Sequence, residues 1–188
     1  MPPAGLNGRI GAVLFDLDGT LIDSAPDLAG AGNEMRTARG LPALPLAHFR
    51  PMVGSGARGM LRLALEVGPE DPDFAALRDE FLSRYEGRMT RETRVFPHVE
   101  PVLDALKSHA LPWAIVTNKA TRFSEPLVHA LGLYERTRTL VCGDTRRTPN
   151  RIPRHCSKPR AAWTCRRRAA CTSATTCATF KRAVPRAC

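Results

Sequence analysis

The chain has 188 residues, 43% of them apolar and 24% charged. A packed core is therefore expected, as one domain or one domain with an insertion, and wholesale disorder is not. The longest apolar run near the N-terminus, Ile10 to Phe15, stops at Asp16 and Asp18. It is too short for a membrane span or a secretory h-region, so a cytoplasmic protein with no membrane partner is the expectation. The formal net charge of +10 would suit a nucleic-acid partner if it were spread over the chain. It is not spread: residues 1–145 hold 16 of the 28 Lys+Arg and all 18 Asp+Glu, whereas residues 146–188 hold the other 12 basic residues and no acid.

Ile10 to Phe15 fits a buried parallel strand, rich in residues that favour extended backbone. It ends in Asp16-Leu17-Asp18-Gly19-Thr20, a polar turn at the carboxyl end of a strand, where open α/β sheets place their ligands. From there to Val95 no strand pattern stands out. Pro26 to Arg39, Gly59 to Val67 and Phe74 to Arg88 carry apolar residues at helical spacing, separated by Gly and Pro. Within this stretch Gly54-Ser55-Gly56-Ala57-Arg58-Gly59 matches the dinucleotide fingerprint letter for letter. No apolar strand precedes it, so a nucleotide site fails its context test. Arg58 is instead a candidate for a substrate carboxylate, with a solvated arginine at a helix start as the equal alternative.

Val99 to His109 is the next helical pattern, and Trp113 to Val116 a second strand ending in Thr117-Asn118-Lys119. A helix over Thr121 to Leu131 follows, then a third strand from Thr139 to Cys142 that ends in Gly143-Asp144. His98 and His109 are read as surface residues. This alternation predicts an α/β fold with a Rossmann-like parallel sheet. The core is expected over 1–22 and 92–145. The helical stretch 23–91 reads as a cap inserted over the active end of the sheet.

Phe15-Asp16-Leu17-Asp18-Gly19-Thr20-Leu21 resembles motif I of the haloacid dehalogenase-like (HAD) hydrolases, and Ile115-Val116-Thr117-Asn118-Lys119 resembles their motif II. Leu21-Ile22-Asp23-Ser24, the helical insertion and Phe96-Pro97-His98-Val99 are similar to the bacterial phosphoglycolate phosphatases within that family. The resemblance covers residues 8–145. It implies a Mg²⁺-dependent phosphate monoester hydrolase for a small phosphorylated carboxylate, 2-phosphoglycolate first. The alternative substrate is another small phosphate such as a sugar phosphate. Asp16 would attack phosphorus and form an aspartyl-phosphate, splitting hydrolysis into two displacements. Asp18 would protonate the leaving alkoxide and then deprotonate water. The resemblance also implies that Asp16 holds Mg²⁺ through a carboxylate oxygen and Asp18 through its backbone carbonyl. Thr117, with backbone N–H groups near Asn118, would hold phosphoryl oxygens. Lys119 lies near the site or faces the cap.

The family's two further motifs, a lysine in a K-P-x-P context and G-D-x-x-x-D, are missing from residues 146–188. The tail is instead a basic run of Arg, Ala, Thr, Cys and Pro without periodicity, expected to be disordered or frameshifted. Joining the third base of each codon to the first two of the next tests the second idea. The junctions from Pro149 to Pro153 then permit K-P-(D/H)-P, and those from Thr172 to Cys188 permit V-G-D-D-L-R-D-I-Q-A-G-R-A-A-G-M. Both missing motifs return in order in one frame, which predicts a single frameshift between the codons for Thr145 and Pro149. It also predicts a core incomplete at its C-terminal end and little activity for the chain as written. The rival readings of the tail are weaker. A zinc site from His155 and the nearby cysteines lacks any C-x-x-C pair, and disulfides are disfavoured in the cytoplasm. A genuine basic arm on an inactive scaffold would bind nucleic acid through residues such as Arg166, Arg167 and Arg168.

Overall fold

The computed structural model describes residues 10–137 and 139–145. Strand β1 (Val13–Phe15) pairs in parallel with β4 (Trp113–Val116), with Val13 opposite Trp113 and Phe15 opposite Ile115. β4 pairs in parallel with β5 (Leu140–Val141), Ile115 opposite Leu140, giving the order β1-β4-β5. β4 lies between its neighbours, and Trp113, Ala114 and Ile115 are buried, which is why that strand reads as an unbroken apolar run. The first strand is shorter than its apolar run suggested: Ile10 is 42% exposed and the ladder begins at Val13. Helices α5 (Val99–Ser108), α6 (Thr121–Ala130) and α7 (Tyr134–Thr137) belong to the same α/β unit. Arg136 of α7 pairs with Glu100 and Asp104 of α5.

Four helices lie between β1 and α5 in the chain: α1 (Ala25–Thr37), α2 (Leu46–Phe49), α3 (Gly56–Leu65) and α4 (Phe74–Glu86). Pro26 sits in the first turn of α1, where its missing N–H costs nothing. A 3₁₀ segment, Arg50–Ser55, runs into α3 through Gly56, whose φ of +60° suits glycine. The three long helices close on Met35, Phe49, Met60, Leu61, Phe81 and Tyr85, all at most 1% exposed. A Cβ on Gly32 would lie 2.8 Å from the ring of Phe49, so α1 and the residues around α2 pack this closely only because position 32 lacks a side chain.

Both ends of this helical segment pass through an element that periodicity did not reveal. β2 (Ile22–Asp23) pairs antiparallel with β3 (Arg94–Val95), and two-residue strands are too short to show alternation. Beside the ribbon, the fully buried Asp27 of α1 accepts on Oδ2 from the N–H of Glu92 (3.0 Å), the N–H of Thr93 (2.8 Å) and Thr93 Oγ1 (2.8 Å). Its Oδ1 faces Arg88 Nε at 3.5 Å, and the same guanidinium bridges Glu34 and Glu92. One carboxylate thus fastens the outgoing and returning chains together.

Candidate active site

The sheet's strand ends converge on a cavity of about 340 Å³ lined by Asp16, Val116, Thr117, Asn118, Val141, Cys142 and Gly143. Asp16 follows the last residue of β1, and its exposed carboxylate accepts the N–H of Leu17 at 2.8 Å, which leaves the other oxygen free to face the cavity. The turn closes with Gly19 at φ +75° and its N–H donating to the carbonyl of Ile22, a conformation that requires glycine. Across the cavity, Thr117 is 7% exposed and fixed to the sheet by its N–H donating to Val141. Its hydroxyl oxygen accepts from the N–H of Lys119 at 3.2 Å, so its proton remains available to a ligand. Asn118 is exposed, and among the described residues its N–H has no partner. Asp16, Thr117 and Asn118, read from the sequence as one site, line one cavity.

Asp18 faces a different set of groups. Both of its carboxylate oxygens accept from Lys119 Nζ at 3.1 Å, and Oδ1 also accepts from Ser24 Oγ at 2.5 Å. Lys119 and Asp18 are only 10% and 15% exposed, so this pair is far less screened than a surface bridge. The ammonium also sits 4.7 Å from the ring centroid of Tyr85 on α4, a contact worth about 0.5–2 kcal/mol. The sequence left open whether Lys119 lies near the site or faces the helices. It does both, joining the motif I carboxylate to the aromatic face of α4. Tyr85 in turn packs against Phe123 of α6. Burial, and then the negative charges of Asp18 and Asp27, push its phenol above the ordinary range.

Arg58 is not brought to this cavity. It is exposed on α3 and lines a separate groove with Met52, Ser55, Gly59, Arg62, Leu63, Pro69 and Glu70. Arg62 in that groove is held by Glu70 at 2.9 Å. The glycine-rich fingerprint spans the end of a 3₁₀ segment and the first turn of α3, so its strand context is absent in three dimensions as well.

The donors for a hard cation are few. Asp16 offers a carboxylate oxygen and Asp18 a backbone carbonyl that accepts no hydrogen bond among the described residues. No group of three or more His, Cys, Asp or Glu that could hold a metal occurs among those residues. Two hard oxygens fit Mg²⁺, which keeps several waters and takes its remaining ligands from a phosphate. The Asp18 carboxylate, occupied by Lys119 and Ser24, is not among them.

Three residues of the site were given no role by the sequence: Ser24 ends the run Leu21-Ile22-Asp23-Ser24 that carries part of the resemblance, Tyr85 lies in the helical stretch Phe74 to Arg88, and Asp144 ends the third strand. Only the fold sets the first two beside Asp18 and Lys119. Asp144 reaches across to α6, where its carboxylate accepts the N–H of Thr121 at 3.0 and 3.1 Å and its hydroxyl at 2.6 Å. Those bonds hold the Asp144 carboxyl below its ordinary range.

A parallel sheet with helices inserted after its first strand, and an aspartate at the end of that strand facing a threonine at the next, defines an α/β scaffold of the Rossmann-like class. The chain belongs to the haloacid dehalogenase-like hydrolase family, whose model matches residues 10–162. That match runs past residue 145, where the sequence reading placed the end of the resemblance. Over 147 residues the chain is 42% identical to the N-acetylmuramic acid 6-phosphate phosphatase of Pseudomonas aeruginosa, covering 77% of this chain and 65% of that protein. It is equally 42% identical over 147 residues to the phosphoglycolate phosphatase of Xanthomonas campestris pv. campestris, covering 76% and 65%. The chain therefore spans slightly less than two thirds of the length of these curated relatives. A crystal structure described as a predicted phosphoglycolate phosphatase from Haemophilus somnus is similar with a TM-score of 0.63 and 27% identity, over 78% of this chain and 68% of that one. Among the described residues, no helix is long and apolar enough to cross a membrane.

Proposed function

We propose that the chain derives from a Mg²⁺-dependent phosphate monoester hydrolase that works through an aspartyl-phosphate on Asp16. The observation that carries this reading is the cavity shared by Asp16, Thr117 and Asn118, with a carboxylate on one wall and, on the other, the Thr117 O–H and the Asn118 N–H, neither donated to any partner among the described residues. An Asp16 oxygen forms a bond to phosphorus while the ester P–O bond breaks, and the leaving alkoxide takes a proton from Asp18. Asp18 then removes a proton from water, whose oxygen displaces Asp16 and yields inorganic phosphate. Thr117 Oγ and the Asn118 N–H bind the phosphoryl oxygens, and Lys119 with Ser24 fixes the orientation of Asp18. The cation would be held by the Asp16 carboxylate and the Asp18 carbonyl, neutralising charge on the phosphoryl group.

Residues 23–91 act in this reading as a cap, with cores before and after it over 1–22 and 92–145. The contact of Tyr85 with Lys119 supports that role, since it sets α4 on the carboxyl ends of the strands. The substrate is a phosphate ester of a small carboxylic acid. 2-Phosphoglycolate remains the first candidate, and N-acetylmuramic acid 6-phosphate joins it from the relatives' names as a sugar phosphate that also bears a carboxylate. Arg58, the sequence candidate for that carboxylate, lines a separate groove on α3, so the cavity of Asp16 gives it no part in holding it. The basic tail of 146–188, whether a frameshifted segment or a nucleic-acid-binding arm, lies outside the described residues. Its shifted-frame K-P-x-P and G-D-x-x-x-D supports the former. Phosphate release from the two esters, measured with Mg²⁺ on the chain translated through a one-base correction between Thr145 and Pro149, tests the function. Turnover of at least one is expected. Release from neither, by a folded protein, would refute it.

A further inference from the structure

We infer that Asp144 is a positioning residue that holds the phosphate-binding loop 117–121 in place from the neighbouring strand; this rests on the phosphate-site reading above. Two connections meet above β4 and β5, the loop from Thr117 to Thr121 and the loop from Cys142 to Thr145. Their approach is unusually close. The N–H of Gly143 donates to the carbonyl of Lys119 at 3.0 Å, and a Cβ at position 143 would stand 2.3 Å from the carbonyl oxygen of Asn118. Only glycine permits that distance, because the obstructing atom is backbone and cannot swing aside.

Asp144 completes the junction. Helix α6 begins at Thr121 after Ala120, whose methyl side chain cannot cap the helix's first N–H groups. Asp144 supplies the missing acceptor from another element, taking both the N–H and the hydroxyl of Thr121. The loop that carries it is itself tied, with Thr145 Oγ1 accepting from the N–H of Cys142 at 3.0 Å and the Thr145 N–H donating to the Cys142 carbonyl at 3.1 Å. The phosphate-binding segment is therefore pinned at three points: Thr117 by the sheet, Lys119 by Gly143, and Thr121 by Asp144. The Thr117 hydroxyl sits on the first of these anchors and the Asn118 N–H between the first two, and neither donates to a partner among the described residues. Ligand donors fixed before binding cost no ordering entropy when the ligand arrives. Asp144 touches no ligand in this arrangement; it acts through Thr121.

The experiment uses the full chain and two substitutions, Asp144→Ala and Asp144→Asn. The carboxamide oxygen of the asparagine can still accept both bonds from Thr121, so a positioning role predicts rescue. Inorganic phosphate affinity is measured by titration, and amide hydrogen exchange is followed residue by residue. Asp144→Ala is expected to weaken phosphate by about tenfold and to speed exchange at 118–121 while exchange in the α1–α4 helices stays unchanged. Asp144→Asn is expected to keep phosphate affinity within about threefold of the parent. Phosphate affinity that survives Asp144→Ala, or an asparagine variant as weak as the alanine one, overturns the positioning role. A parent chain that binds no phosphate overturns the site reading alone, and the latch is then judged by exchange: exchange at 118–121 that Asp144→Ala leaves unchanged overturns it.

Discussion

Asp27 shows how much one side chain can hold. It is fully buried and takes three hydrogen bonds on a single oxygen, all from the chain that returns from the helical segment. Removing it leaves two backbone N–H groups and the Thr93 hydroxyl without an acceptor and strips Arg88 of its buried counter-charge. Asp27→Ala is expected to destabilise the fold by about 3–5 kcal/mol, and Asp27→Asn, which keeps an acceptor, by about 1–3 kcal/mol, read from urea midpoints at constant slope. An alanine variant within about 0.5 kcal/mol of the parent would mean the clamp is incidental. In the sequence this residue lies at the start of the helical stretch Pro26 to Arg39 and was given no role, since an acid in a helix's first turn needs none beyond the helix dipole. Its partners at 92 and 93 are more than 60 residues away, beyond anything local spacing can express. The placement of Asp16 and Asp18 was legible for the opposite reason: both lie in one short run at the end of a single strand.

Among elements, legibility followed length and burial. β4 lies within the bounds read from its apolar run, and α5 and α6 end one residue short of theirs, because each carries an apolar face over several turns. The β2–β3 ribbon was invisible at two residues a strand, and the contact of α4 with the motif II lysine depends on how the helices pack. The junction of β5 with α6 has a consequence for acid stability. The carboxyl of Asp144 is held below its ordinary value by Thr121, so its stabilisation is present above the unfolded carboxyl's pKa near 3.8 and is lost as pH falls through the folded value. Relative to the parent, Asp144→Asn should therefore lose less stability between about pH 5 and pH 3. Parallel stability curves for the two proteins across that window would contradict the assignment.

At the scale of the whole molecule, the chain is two compositions joined near residue 145. The first is nearly neutral and the second holds 12 basic residues and no acid, while the HAD-like family match, over residues 10–162, runs across the join. On the described residues β1, which carries Asp16, pairs with one strand only, β4, and all three of its residues are half-buried. We propose that the shifted frame of the tail carries the lysine and acids that complete the phosphate and metal site, and that the chain as written turns over poorly for want of them. Phosphoryl transfer depends on positive charge fixed around the equatorial oxygens. Here Lys119, the lysine at this end of the sheet, is committed to Asp18.

The decisive measurement is phosphate release from 2-phosphoglycolate and N-acetylmuramic acid 6-phosphate by three proteins side by side. They are the 188-residue chain, the chain with the one-base correction, and the corrected chain carrying Asp16→Asn. The corrected chain should turn over at least one ester, with the written chain at least about a hundredfold slower and Asp16→Asn slower by about a thousandfold or more. Turnover that survives Asp16→Asn, or a written chain as fast as the corrected one, would contradict the assignment of nucleophile or tail.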